Sequence, residues 1–254
     1  MCFGDAARPP LPPIRGAAAD AGEVTLTASD GTLVAAYGAR AGAPGGPGIV
    51  ILPDVRGLHP YFEELALRFA EAGVQAVAID YFSRTAGTGG RPDGFDYQAH
   101  VAQMRPPSIR ADLTAGVDHL RAPDGGAAER IYTVGFCMGG RISFVQAAGQ
   151  TGLSGVIGFY GPPTDTHRTG LPAPAEIADQ FTCPVLAIWG GADRGIGPDA
   201  VRRFEEAMTS AGVEHRSITY PDAPHSFFDR HAADFANESE DAWRQMLDFM
   251  GVAA

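Results

Sequence analysis

The feature that most constrains this chain is a pair of short apolar runs with a helix-like stretch between them. GIVILPD (48–54) and VQAVAID (74–80) are apolar almost throughout and each ends on an aspartate. Between them, PYFEELALRFAEAG (60–73) has apolar residues at helical spacing and a closing glycine. Strands without polar alternation are buried on both faces. Strand, helix and strand within about thirty residues make a βαβ unit, which requires parallel neighbours.

The rest of the chain extends this pattern. EVTLTA (23–28) and TLVAAYGA (32–39) flank the turn signal S-D-G and predict an opening hairpin. Strands are predicted in 130–137, 153–161, 183–193 and 215–221, and helices over 108–122, 138–149, 198–212 and 239–251. Residues 83–106 are Gly- and Pro-rich and irregular, the mark of a functional loop or lid. Residues 1–22, rich in Pro and Ala, are expected to form an extended arm. Residues 23–254 are expected to form a single α/β domain, doubly wound, with a mostly parallel sheet and helices on both faces.

Composition removes several classes of function. The formal charge is −11 and no basic cluster is present, which argues against a nucleic-acid partner. All 19 basic residues are arginine, so lysine Schiff bases, lysine-anchored cofactors and the P-loop lysine are excluded. Cys2, Cys137 and Cys183 lie far apart and form no C-x-x-C pair, so neither a zinc site nor a disulfide framework is expected. No signal-peptide core or membrane-spanning run is seen, and a cytoplasmic protein is expected.

In such a sheet, ligands bind at the carboxyl ends of the strands. The polar residues there are Asp54, Asp80, Cys137, Asp193 and the segment Asp222–His225. Cys137 lies in GFCMGG (135–140), a G-x-C-x-G turn between a strand and a helix. Glycines on both sides let strand and helix pass closely, and the helix N-terminus favours a thiolate. A free cysteine is most often a small buried residue; the turn context points instead to a nucleophile. His225, in PDAPHSFF, follows a late strand and comes after an acid. The order nucleophile, acid, histidine is that of the α/β-hydrolase triad. Asp193 is preferred over Asp222 as the acid, because a partner on a separate strand end holds the imidazole from behind. The backbone N–H groups of Val55 and Met138 are the candidate oxyanion donors. The pattern leaves Asp54 two roles, turning the chain or touching the thiol.

With GFCMGGR, GGAD ending at Asp193, PHSFF and the stretch ILPDVRGLHPYFEELALRFAEAGVQAVAIDYFSR, the sequence resembles the dienelactone hydrolases from about residue 23 to residue 250. The resemblance implies a Cys-His-Asp triad, no metal and no organic cofactor. It also implies hydrolysis of enol lactones, such as dienelactone to maleylacetate, in aromatic-compound breakdown. Family members place an acid after the first parallel strand, where it contacts the cysteine and helps deprotonate it. Asp54 stands there, one methylene shorter than the glutamate of the best-known members. The family also binds a substrate carboxylate with arginines, one closely following the catalytic histidine. Here Phe227 and Phe228 follow His225-Ser226, and the nearest arginine, Arg230, is one position out of register. Arg84, Arg91, Arg105, Arg230 and Phe227 are the candidate substrate contacts. A general carboxylesterase or thioesterase with the same triad is the alternative enzyme, and a non-catalytic binding protein of the same fold is the alternative outside enzymes.

Overall fold

The computed structural model describes residues 20–91, 94–149, 151–165, 169–229, 231 and 233–253, together with Pro9 and Ala18. Its strands are β1 (Asp20–Thr27), β2 (Leu33–Arg40), β3 (Pro47–Leu52), β4 (Gln75–Ile79), β5 (Arg130–Phe136), β6 (Gly155–Phe159), β7 (Val185–Gly190) and β8 (His215–Tyr220). The helices are α1 (Pro60–Glu71), α2 (Ser83–Ala86), α3 (Tyr97–Val101), α4 (Pro106–Arg121), α5 (Met138–Gln146), α6 (Pro198–Ser210) and α7 (Ala236–Phe249). The eight strands form one sheet in the order β1-β2-β4-β3-β5-β6-β7-β8. Pairings β1/β2 and β2/β4 are antiparallel and the other five are parallel.

This is the doubly wound α/β arrangement that the apolar runs predict, in the form expected of an α/β-hydrolase. β3 leads through α1 to β4 on one side, and the chain then returns to place β5 on the other. The strand order reverses between β3 and β5, and a crevice opens beyond their carboxyl ends.

The apolar strands are explained by burial on both faces. In β3, Ile49 and Ile51 join one buried cluster while Val50 and Leu52 join a second. Phe62, Leu65 and Phe69 of α1 belong to the first; Ile109, Leu113, Val117 and Leu120 of α4 belong to the second. Each side chain of this size contributes about 1.5–3 kcal/mol by leaving water. Phe69 of α1 also packs at a tilt against Trp243 of α7, with ring centroids 4.7 Å apart.

Local signals account for the element ends. Pro60 opens α1, where its missing N–H costs nothing. Gly73, at φ +86°, closes it: its N–H donates to Ala70 O at 3.0 Å and the Val74 N–H to Phe69 O at 2.9 Å. The same closure ends α6 and α7. β1 begins at Asp20, inside the arm expected over residues 1–22; most of the rest of that arm lies outside the described residues. The stretch 83–106 is not wholly irregular. It contains α2 and α3, which are too short to show a helical period in sequence.

Around Cys137 the chain packs backbone against backbone. A β-carbon on Gly135 would overlap the Gly139 carbonyl, and one on Gly139 would overlap the carbonyl oxygens of Leu52 and Pro53. Gly139→Ala is therefore expected to cost about 3 kcal/mol, because backbone cannot move aside as a side chain can. At Gly73 nothing lies within 4 Å and only the positive φ opposes a side chain, so Gly73→Ala should cost about 1 kcal/mol. Urea unfolding of the two variants measures the difference directly.

Candidate active site

Cys137 is the residue immediately before α5 and adopts φ 54° and ψ −114°. Its N–H donates to Phe159 O of β6 at 3.0 Å, and its carbonyl accepts from the Arg141 N–H at 3.2 Å. The side chain is half-buried. Four described residues other than glycine have positive φ: Ala127, Cys137, Tyr160 and Ser226. The last three follow β5, follow β6 and flank His225. Strain of this kind costs on the order of 1–3 kcal/mol per residue and collects at functional sites.

His225 Nδ1 lies 2.6 Å from Asp193 Oδ2. Asp193 is buried, and its second oxygen accepts the Gly195 N–H at 2.7 Å. The carboxylate is thus held from two directions. Asp222 is exposed in the turn after β8, so the acid brought to His225 is Asp193, from a separate strand end. The imidazole ring also lies 4.8 Å from the ring of Tyr160. An open depression of about 790 Å³ exposes this side of the site; it is lined by Asp193, Arg194, Pro224, His225 and His231, among others.

Asp54 is fully buried beyond β3, with Oδ1 accepting the Arg56 N–H at 3.0 Å and its carbonyl accepting the Gly57 N–H at 3.1 Å. Val55 lies inside that turn. Met138 is the first residue of α5, where a helix N–H has no intrahelical partner. Tyr81 OH donates to Pro53 O at 3.1 Å. Burial raises its pKa well above the ordinary phenol value, and the charges of Asp54, Asp80 and Asp112 add to the rise.

The candidate substrate contacts are placed differently. Arg84 donates Nε to both oxygens of Asp112, at 2.9 and 3.1 Å, and Nη1 to Asp30 at 2.6 Å. Arg91 pairs with the buried Asp80, donates to the carbonyls of Gly87 and Gly89, and lies over the Phe95 ring. It fastens the 83–106 stretch to the end of β4. Burial lifts the Asp80 pKa even with Arg91 alongside. Arg105 is exposed and caps carbonyls of Ala102 and Met104. Phe227 is fully buried, packed edge-to-face against Tyr220 and Tyr160. Arg230 lies outside the described residues.

Three polar residues not singled out in sequence frame the site. Tyr160 OH donates to Asp229 Oδ2 at 3.0 Å, and both residues are buried. Arg141, one turn into α5, is buried and donates to the carbonyls of Pro162, Leu171 and Pro172 at 2.9, 3.2 and 2.8 Å. Burial pushes its pKa down to about 10. Tyr160 was within reach of the strand-end rule had phenols been counted among polar ends. Arg141 and Asp229 carry no such signal, because their partners are loop groups far away in sequence. Among the described residues no group of three or more His, Cys, Asp or Glu gathers to hold a metal, and no helix is long and apolar enough to cross a membrane.

The family model described as "Dienelactone hydrolase family" matches residues 34–254. A protein of Escherichia coli K12 named "Putative carboxymethylenebutenolidase" is 30% identical over 237 residues, which are 89% of this chain and 84% of that one. The crystal structure titled "Putative Dienelactone Hydrolase" from Klebsiella pneumoniae superposes with a TM-score of 0.80 at 28% identity, covering 91% of this chain and 98% of that one. At 20% identity and a TM-score of 0.74, a dienelactone hydrolase-like promiscuous phosphotriesterase from metagenomic libraries shares the fold, over 93% of this chain and 98% of its own. Family model, relatives and fold together place this chain in the dienelactone hydrolase family, as a hydrolase of ester or lactone bonds.

Proposed function

We propose that the chain cleaves a small enol lactone, of which dienelactone is the type, through a Cys137-His225-Asp193 triad and an acyl-thioester. The observations that carry this reading are the 2.6 Å contact between His225 and Asp193 and a cysteine held at positive φ before a helix.

The chemistry follows from these positions. The Cys137 thiol loses its proton to His225 or Asp54, and Sγ attacks the lactone carbonyl carbon. The carbonyl electron pair moves to oxygen, to which the Val55 and Met138 N–H groups donate hydrogen bonds; one such donor is worth about 2.7–4 kcal/mol. Collapse breaks the carbon–oxygen bond of the ring. The leaving group is an enolate, weakly basic, which departs with little protonation and then takes a proton to become a ketone. That suits a thiolate, which a poor leaving group would allow to be expelled instead. His225, oriented by Asp193, next removes a proton from water. The hydroxide attacks the thioester, and Cys137 leaves as thiolate with the acid product released.

A general carboxylesterase would use the same residues. The enol lactone is favoured by the cysteine itself, since an enolate leaves with less protonation than an ordinary alkoxide and competes better with expulsion of the thiolate.

Wild type and Cys137→Ala are to be compared by loss of dienelactone absorbance at neutral pH. Turnover in the wild type and a loss of at least a thousandfold in the variant are expected; equal rates would remove Cys137 from the chemistry. If neither protein acts on dienelactone, the lactone assignment is lost, and aryl esters and thioesters become the substrates to test. A second outcome concerns the thiols. Cys183 is buried and its pKa is pushed up to about 11 by burial, whereas Cys137 is half-buried. Iodoacetamide at pH 7.5 should therefore label Cys137 and leave Cys183 unmodified, with activity falling in step. Peptide mass spectrometry reads the site of modification.

A further inference from the structure

Tyr160 is held in a conformation that its side chain disfavours. Its φ is +38°, in the left-handed region that a bulky aromatic residue rarely enters. The next position is Gly161, so a glycine-based turn was within reach of this loop. Several contacts hold Tyr160 in place. Its N–H donates to Ile188 O of β7 at 2.8 Å. Its ring packs edge-to-face on Phe159 and Phe227, at 5.8 and 6.0 Å. Its hydroxyl donates to Asp229 Oδ2 at 3.0 Å, with both groups buried. The consequence is a phenol ring lying 4.8 Å from the His225 imidazole.

The Asp193 bond sets the position of Nδ1, and the tilt of the ring about that bond decides where Nε2 points. A ring packed 4.8 Å from the imidazole restrains this tilt. Tyr160 comes from the end of β6, whose Phe159 carbonyl also holds the Cys137 N–H. Asp229 comes from the His225 loop, in which the Asp229 and His231 N–H groups both turn back on Ser226 O at 3.3 Å. The Tyr160–Asp229 bond therefore ties the end of β6, whose carbonyl holds the nucleophile's N–H, to the loop that carries the base.

We propose that Tyr160 and Asp229 are a positioning pair that sets the tilt of His225 toward Cys137. The inference rests on the reading of His225 as the base. The pair acts through the imidazole, so it governs kcat and leaves substrate binding nearly untouched.

The test is a double-mutant cycle followed with dienelactone and with p-nitrophenyl acetate. Tyr160→Phe keeps the ring and loses the hydroxyl; it should lower kcat about tenfold with KM within twofold. Asp229→Ala should do the same. Asp229→Asn still offers an oxygen to the hydroxyl and should keep at least half of the wild-type kcat. The double variant Tyr160→Phe/Asp229→Ala should lose no more than about tenfold, since each single change breaks the same bond. The inference is overturned if Tyr160→Phe keeps kcat within twofold of wild type, if the two losses multiply to about a hundredfold, or if Asp229→Asn is as impaired as Asp229→Ala. Urea midpoints of all four proteins show whether lost activity is only lost folded protein, which would also overturn it. Cys137→Ala run alongside separates the two levels. An inactive Cys137→Ala with an unimpaired Tyr160→Phe defeats this inference alone, while an active Cys137→Ala defeats the reading of the site beneath it.

Discussion

The close approach of backbone to backbone at Gly135, Cys137 and Gly139 is the constraint on which the rest of the structure depends. β5 and α5 meet there with no side chain between them, and the Leu52 and Pro53 carbonyls press against Gly139 from β3. The Phe159 carbonyl of β6 fixes the Cys137 N–H from the other side. Three adjacent strand ends are locked at one point, and the cysteine has no room for a relaxed conformation. Its φ of 54° follows from that packing. A cost on the order of 1–3 kcal/mol is accepted, and the side chain is presented at the crevice where the strand order reverses.

Buried charge is the second organising element, and its uses differ. Arg91 satisfies Asp80 and closes the 83–106 stretch over the end of β4. A buried pair of this kind adds little net stability, but losing either partner would cost about 3–5 kcal/mol. It therefore specifies where the stretch lies. Arg141 meets carbonyls where Arg91 meets a carboxylate, and burial lowers the Arg141 pKa to about 10. The charge remains at neutral pH, one turn from Cys137. Arg84, joined to Asp112 and Asp30, links α4 to the turn between β1 and β2.

Much of the fold was legible in sequence because its signals are local. Continuous apolar runs ending in aspartate marked β3 and β4, and Pro60 and Gly73 marked the ends of α1. The candidate triad was legible for the same reason, since Cys137, Asp193 and His225 each end or follow such a run. What the sequence did not show depends on distance along the chain. Arg84, Arg91 and Arg105 lie in or near the loop where a substrate clamp was expected, yet Arg84 and Arg91 are committed to acids and Arg105 to nearby carbonyls. No spacing rule announces that Asp112, 28 residues on, meets Arg84. Phe227, next to His225-Ser226, was a candidate substrate contact, and the structure buries it fully in the core beyond Ser226, whose φ is positive. Tyr160 and Asp229 are 69 residues apart, and only the folded sheet brings them together.

These side chains share one physical task. Loops at strand ends leave carbonyls without ladder partners, and a buried orphan costs about 1–3 kcal/mol. Tyr81 donates to Pro53 O, Arg141 to Pro162, Leu171 and Pro172 O, and Tyr61 to Phe228 O at 2.9 Å. Three of these five carbonyls belong to prolines, in turns too irregular to pair with a neighbouring strand. Each donor is anchored in or beside a regular element, and each acceptor lies in a loop. The bonds transmit the rigidity of sheet and helices to segments that have none of their own. A displaced α1, β4 or α5 would therefore shift the loop it holds, and the buried tyrosines and arginine supply a hydrogen-bonding tip that an apolar residue of equal size lacks.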